Sequence, residues 1–161
     1  MVRPTNGRCA LGALAAAGLL AACSPSPCTA CLAVEGSYAE LTQSASVDCG
    51  DQRRLYFGGG TASASVAQTG SALALAALGG FHLTGVLHQD GSASFGPVPA
   101  TAEPVDSSGN PDPNGTPTPG KLYLEGWFTA GASGASAFDG TYLFIADPDG
   151  CEVDSHAQWR R

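Results

Sequence analysis

The sequence predicts an all-β body: an antiparallel meander that closes into a barrel of roughly eight strands. Three observations carry this reading. First, apolar and polar residues alternate with period two. Phe81, Leu83, Gly85 and Leu87 face one way against His82, Thr84, Val86 and His88. Leu122, Leu124, Gly126 and Phe128 repeat the pattern, as do Phe138, Gly140, Tyr142 and Phe144, and such alternation marks strands with one buried face. Second, Gly79-Gly80, Asp90-Gly91 and Asp149-Gly150 separate these runs as two-residue hairpin turns do. Third, an apolar residue, any residue, glycine, any residue and an apolar or aromatic residue recur at Val34 to Tyr38, Leu83 to Leu87, Leu124 to Phe128 and Phe138 to Tyr142. Glycine inside a strand marks a bend, a bulge or the close approach of another segment, and barrel closure needs bends.

In chain order, the first element is a signal. Arg3 and Arg8 lead into an apolar run of fourteen residues, Cys9 to Ala22. That is short of the ~20 residues a membrane span requires, and the small residues at its end suit a cleavage site, so residues 1–22 read as a removed secretory signal. The tetrapeptide Leu20-Ala21-Ala22-Cys23 resembles the lipobox of bacterial lipoproteins. The resemblance implies that Cys23 is lipidated and becomes the new N-terminus. It also implies a place in the bacterial cell envelope, where Ser24 instead of aspartate points to the outer membrane over the inner. Two or more acyl chains anchor stably where one is marginal. A plain secretory cut near Ala22 is the alternative, and it leaves Cys23 as one more thiol.

Residues 23–32 read as a tether and 33–161 as the barrel domain. Cys28, Cys31, Cys49 and Cys151 remain after the signal is removed and Cys23 is lipidated, an even number suited to an oxidising compartment. Of the three possible pairings we expect Cys28 with Cys31 in the tether and Cys49 with Cys151 in the body. Strands begin near Ala33. Ser71 to Leu78 is bracketed by Gly70 and Gly79, too short for a stable helix, and reads as a strand. Residues 96–120 hold seven of the eleven prolines, a composition that resists ladder hydrogen bonds and predicts a flexible inserted loop. The glycine repeat is similar to that of small lipocalin-like lipoproteins, whose first strand often carries Gly-x-Trp. Here Gly36-Ser37-Tyr38 has tyrosine in that place, and the resemblance implies the meander-barrel architecture.

Without residues 1–22 the chain keeps five basic against fourteen acidic residues, a net charge of −9. Arg53-Arg54 and Arg160-Arg161 are the only basic pairs, a poor phosphate track, so nucleic acid is not expected as a partner. An acidic surface suits a cationic one.

Motifs that could carry chemistry fall short of it. Cys28-Thr29-Ala30-Cys31 has redox spacing but lacks the helix N-terminus that lowers a thiol pKa, and no further zinc ligands lie near it. Asn110 to Gly115 imitates the start of a calcium loop, yet Lys121 stands where the closing glutamate belongs. Asp147, Asp149 and Glu152 read as turn and solvent-face residues. His82 and His88 lie ~20 Å apart along a strand, too far to share an ion. His156 neighbours Asp154 and Ser155, but neighbours on a strand point to opposite faces, which defeats a triad. Glu35, Glu125 and Asp139 each precede a repeat glycine and read as a solvated polar face, not as paired glycosidase acids. No metal, cofactor or catalytic residue is expected. The expectation is a lipid-anchored, non-catalytic binding or structural module of the envelope. If hollow, its barrel takes a small apolar ligand against Phe81, Leu83, Leu124, Phe128 and Tyr142; if filled, these residues are core. The alternative is an inhibitor of a cationic envelope-directed enzyme such as lysozyme.

Overall fold

The computed structural model describes residues 25–43, 45–49, 54–57, 60–77, 80–106, 108, 110–147 and 149–161. The signal peptide, Cys23 and Gly79 lie outside the described residues. Among the described residues ten strands follow one another: β1 (Gly36–Thr42), β2 (Ala45–Asp48), β3 (Arg54–Phe57), β4 (Gly60–Thr69), β5 (Ala72–Ala76), β6 (His82–Leu87), β7 (Ser92–Pro104), β8 (Thr118–Gly131), β9 (Gly134–Ala146) and β10 (Glu152–Arg160). Eight of them close a barrel. β1 pairs with β4, each strand from β4 to β10 pairs with the next, and β10 returns to β1, all antiparallel. The chain is thus an up-and-down meander interrupted once, between β1 and β4, by the β2–β3 hairpin. That hairpin hangs on the end of β7 through Leu55 opposite Pro104 and Tyr56 opposite Glu103.

The alternating pattern sets which side chains go inside. Leu83 and Leu87, then Leu122, Leu124 and Phe128, then Phe138, Tyr142 and Phe144 are all buried, while His82, Thr84, Glu125 and Asp139 are exposed. Ala72–Ala76 is a strand with Leu73 and Leu75 turned inward. Asp90-Gly91 and Asp149-Gly150 lie in turns, with Gly91 at φ 85° and Gly150 at φ 73°, backbone that glycine adopts without steric cost. The connections are longer than the two residues expected: residues 89–91 between the paired His88 and Ser92, and residues 147–150 between the paired Ala146 and Cys151.

The repeat glycines answer to close approach. A methyl carbon added at Gly126 would lie 2.6 Å from Phe138 Cζ, one at Gly140 2.5 Å from Phe138 Cε1, and one at Gly85 2.5 Å from Phe95 Cδ1. Gly126 and Gly140 face each other across β8 and β9. Each of these glycines leaves space that an aromatic ring occupies.

Two expectations are corrected. Residues 96–120 are not one loop. β7 continues to Pro104 and β8 starts at Thr118, which shortens the connection to residues 105–117. The ladder slips at Gly96-Pro97, between Phe95 and Val98, and resumes with Val98 opposite Leu122. The slip places Pro97, which has no N–H to donate, outside the regular pairing. Residues 23–32 are also not a free tether over their described part. Cys28 N donates to Leu87 O at 3.0 Å, Gln89 N donates to Ser26 O at 3.0 Å, and Pro27 bridges His88. The Gln68 side chain then holds Leu32 O and Val34 N, at 3.0 and 2.8 Å. Backbone groups unmet by a ladder find partners across the barrel end instead.

Both expected disulfides form. Cys28–Cys31 closes a turn within this docked segment, and Cys49–Cys151, 102 residues apart, ties the hairpin that follows β1 to the β9–β10 turn.

Candidate functional site

The meander gives the barrel two unlike ends. The tether end gathers the β4–β5, β6–β7 and β8–β9 turns with the start of β1 and the end of β10. The far end gathers the β5–β6, β7–β8 and β9–β10 connections and the β2–β3 hairpin.

Inside, the tether half is occupied by rings from five strands. Trp159 stacks on Phe138 at 4.2 Å between centroids, and Phe128 meets Phe138 at 4.8 Å. Tyr38, Phe128 and Phe95 ring Trp159 at 6.0, 6.1 and 6.5 Å. Such tilted and stacked contacts add to the burial of large apolar area. Arg161 closes the stack from outside, its guanidinium 4.6 Å from the centre of the Tyr38 ring. It also donates to Glu35 O, which fixes the start of β1 to the end of the chain. The Tyr38 hydroxyl donates to Val34 O at 2.6 Å. Of the five residues that would line a ligand cavity, Leu83, Leu124, Phe128 and Tyr142 lie in the core and Phe81 packs at its edge.

Above the rings sits an interior acid. Glu40 is only 2% exposed; it accepts the Tyr142 hydroxyl at 2.7 Å and the Thr42 hydroxyl at 3.4 Å. Burial, reinforced by the neighbouring carboxylate, holds the Tyr142 hydroxyl far above the ordinary tyrosine range. The pair was missed in the sequence reading, although a signal was there: in the alternation set by Tyr38, Glu40 and Thr42 fall on the inward face.

The outer wall holds the remaining candidates. Glu125 and Asp139 are exposed. His156 does not meet Asp154 or Ser155; its Nε2 reaches Asp139 Oδ1 across the β9–β10 ladder at 2.9 Å. That hydrogen bond holds the Asp139 carboxyl below the usual carboxylate range. His88 Nε2 contacts Ser94 at 3.0 Å, and His82 lies at the other end of β6. In the 105–117 connection, Asp106 accepts the backbone N–H groups of Ser108 and Asn110, and Asp112 accepts that of Asn114. These carboxylates are engaged in turns. Among the described residues no three His, Cys, Asp or Glu side chains gather as a metal site.

A second feature missed in the sequence reading is Trp127, 62% exposed on the outer face of β8. It borders a groove of about 440 Å³ shared with Pro25, His88, Asp90, Ser94 and Glu125. Its signal is a tryptophan on the polar side of an alternating strand. A second groove, of about 360 Å³, runs beside it between Tyr123, Leu143 and Ile145, flanked by Glu125 and Asp154.

No family model, curated protein or solved structure matches this chain.

Proposed function

We propose that this chain is a lipid-anchored protein of the bacterial cell envelope, held through Cys23, that acts without catalysis as a binding or structural module. The lipobox-like Leu20-Ala21-Ala22-Cys23 carries the anchor, and the ring stack around Trp159 supports recognition on the outside of the barrel. Where a barrel's own side chains occupy its axis, recognition falls to the outer wall and the loops. Two disulfides in a chain of this size suit an exported protein. The test is mass spectrometry of the mature protein from its native host. A diacylated or triacylated Cys23 at the N-terminus is the expected result, and an acyl-free terminus or a retained signal refutes the anchor.

A second reading has its own support. Glu103, Asp106, Asp112, Asp147, Asp149 and Glu152 border the far end, a field that draws a cationic protein and suits an inhibitor of an enzyme such as lysozyme. Binding to lysozyme that weakens steeply with salt is the expected outcome for that reading; no binding at low ionic strength removes it.

A further inference from the structure

Three independent observations single out the tether end. Residues 26–34 are hydrogen-bonded across it, so the chain reaches Pro25 already fixed to the barrel. Two peptide units then separate Pro25 from Cys23, a span of about 7 Å at full extension. Pro25 also forms one lip of the groove that Trp127 borders.

The second observation is charge. From Trp127 to Ala137, through the β8–β9 turn, eleven residues carry no ionisable side chain. The rest of this end offers Glu35 and Asp90, with Glu125 and Asp139 beside Trp127 on the outer wall, against Arg160 and Arg161. The described far end carries Asp48, Glu103, Asp106, Asp112, Asp147, Asp149 and Glu152 against Arg54 and Lys121. The tether end is therefore the less acidic of the two, with two basic and four acidic residues for a net −2 against two and seven for a net −5, and its β8–β9 turn is free of charge.

The third is Trp127 itself. A tryptophan this exposed leaves a large apolar area in water, and its ring has an apolar body and one polar edge, which suits the layer between headgroups and hydrocarbon. Asp90 and Glu125 beside it in the groove match the ammonium of a zwitterionic headgroup, and an ammonium also binds the face of a tryptophan ring.

We propose that the Trp127 shoulder and the uncharged β8–β9 turn are the membrane-seated face of this protein, with Trp127 in the headgroup layer of a zwitterionic bilayer and the acidic far end turned away from it. The inference rests on the lipid anchor at Cys23 and adds an orientation to it. The acyl chains and Trp127 enter the bilayer as one patch, and the far end is what a soluble partner meets.

The chain's two tryptophans make the test direct, because Trp159 is fully buried and Trp127 is not. The full mature protein, its acylation verified by mass, is reconstituted into vesicles of phosphatidylethanolamine and phosphatidylcholine carrying bromine on their acyl chains. Trp127 emission is expected to shift to the blue and to be quenched, removing roughly half of the total signal, while Trp127→Phe leaves only unquenched Trp159. An acylated protein with unquenched, unshifted Trp127 overturns the orientation and leaves the anchor standing. Trp127 that responds to added lysozyme and not to lipid overturns it in favour of a cationic protein on this face. A mature mass without acyl chains refutes the anchor, and the orientation with it.

Discussion

The Tyr142 hydroxyl donates to Glu40 at 2.7 Å inside the barrel, and a buried carboxylate depends on such donors. Removing one partner leaves the other to bear its desolvation, so Tyr142→Phe is expected to cost about 1–3 kcal/mol, read from the midpoint of urea unfolding. The same pair predicts a pH dependence. The folded Tyr142 pKa is raised, chiefly by burial, so its contribution to stability is complete below the unfolded value of about 10 and falls away as pH climbs from there toward the folded value. Stability measured between pH 9 and 11 therefore declines less steeply in Tyr142→Phe than in the parent, by a difference that grows to about one proton at the top of that range. On the outer wall the sign reverses. Asp139 is lowered by its hydrogen bond from His156, so its contribution is present above the ordinary aspartate range and disappears as pH falls through the lowered value. His156→Ala is expected to move the Asp139 titration upward, as followed by carboxyl NMR, with little change in stability because the pair is exposed to solvent. The disulfide cysteines were legible because their number and placement leave few pairings. Glu40 and Trp127 were not, because an acid inside a barrel and an indole outside it each contradict the average preference of their residue type.

At the level of the strand, glycine and aromatic positions form one design. Gly126 and Gly140 lie opposite each other and the Phe138 ring covers both, so wall and filling are fitted across two strands. Gly126→Ala is expected to destabilise the protein by about 1–3 kcal/mol through overpacking, measured by thermal unfolding. Phe138→Leu in that background should recover part of the loss, since residues in contact do not act additively; simple additivity of the two costs would refute the ring-on-glycine account. Alternation made the faces of β6, β8 and β9 readable, because period two is a direct imprint of the pleat. The extent of β7 was not readable. Proline density argued for a loop, but a slip at Gly96-Pro97 lets the ladder pass it, and Pro99 and Pro104 lie in register opposite Lys121 and Leu55. The docking of residues 26–34 was hidden for a related reason: its partners, Leu87, Gln89 and Gln68, are distant in the chain, and short Ser/Pro/Ala sequence gives no sign of them.

Taken as a whole, the molecule is a closed barrel with a lid of its own chain at each end, and the two lids are secured differently. The tether-end segment is held by a run of backbone and Gln68 hydrogen bonds, so its three-residue disulfide, Cys28–Cys31, restrains little of the unfolded chain. Among the described residues the far-end hairpin pairs with β7 at two positions, and Cys49–Cys151 is its covalent link to the β9–β10 turn. Closing a loop of this length lowers the entropy of the unfolded chain by the equivalent of about 4–5 kcal/mol in the chain-entropy model, against a much smaller effect for the short bridge. Replacing both Cys49 and Cys151 by serine is therefore expected to lower the urea midpoint far more than replacing Cys28 and Cys31. The loss should also be uneven across the fold. Leu55 is fully buried and Val47 partly so, and both pack on the core through a hairpin that would then keep only its pairing with β7 and its packing against the barrel. Their amides should exchange with deuterium well before those of Leu124 and Tyr142, which sit in strands paired on both sides. Uniform acceleration over all four positions would mean that hairpin and barrel unfold as one unit, and that the bridge acts on the unfolded chain alone.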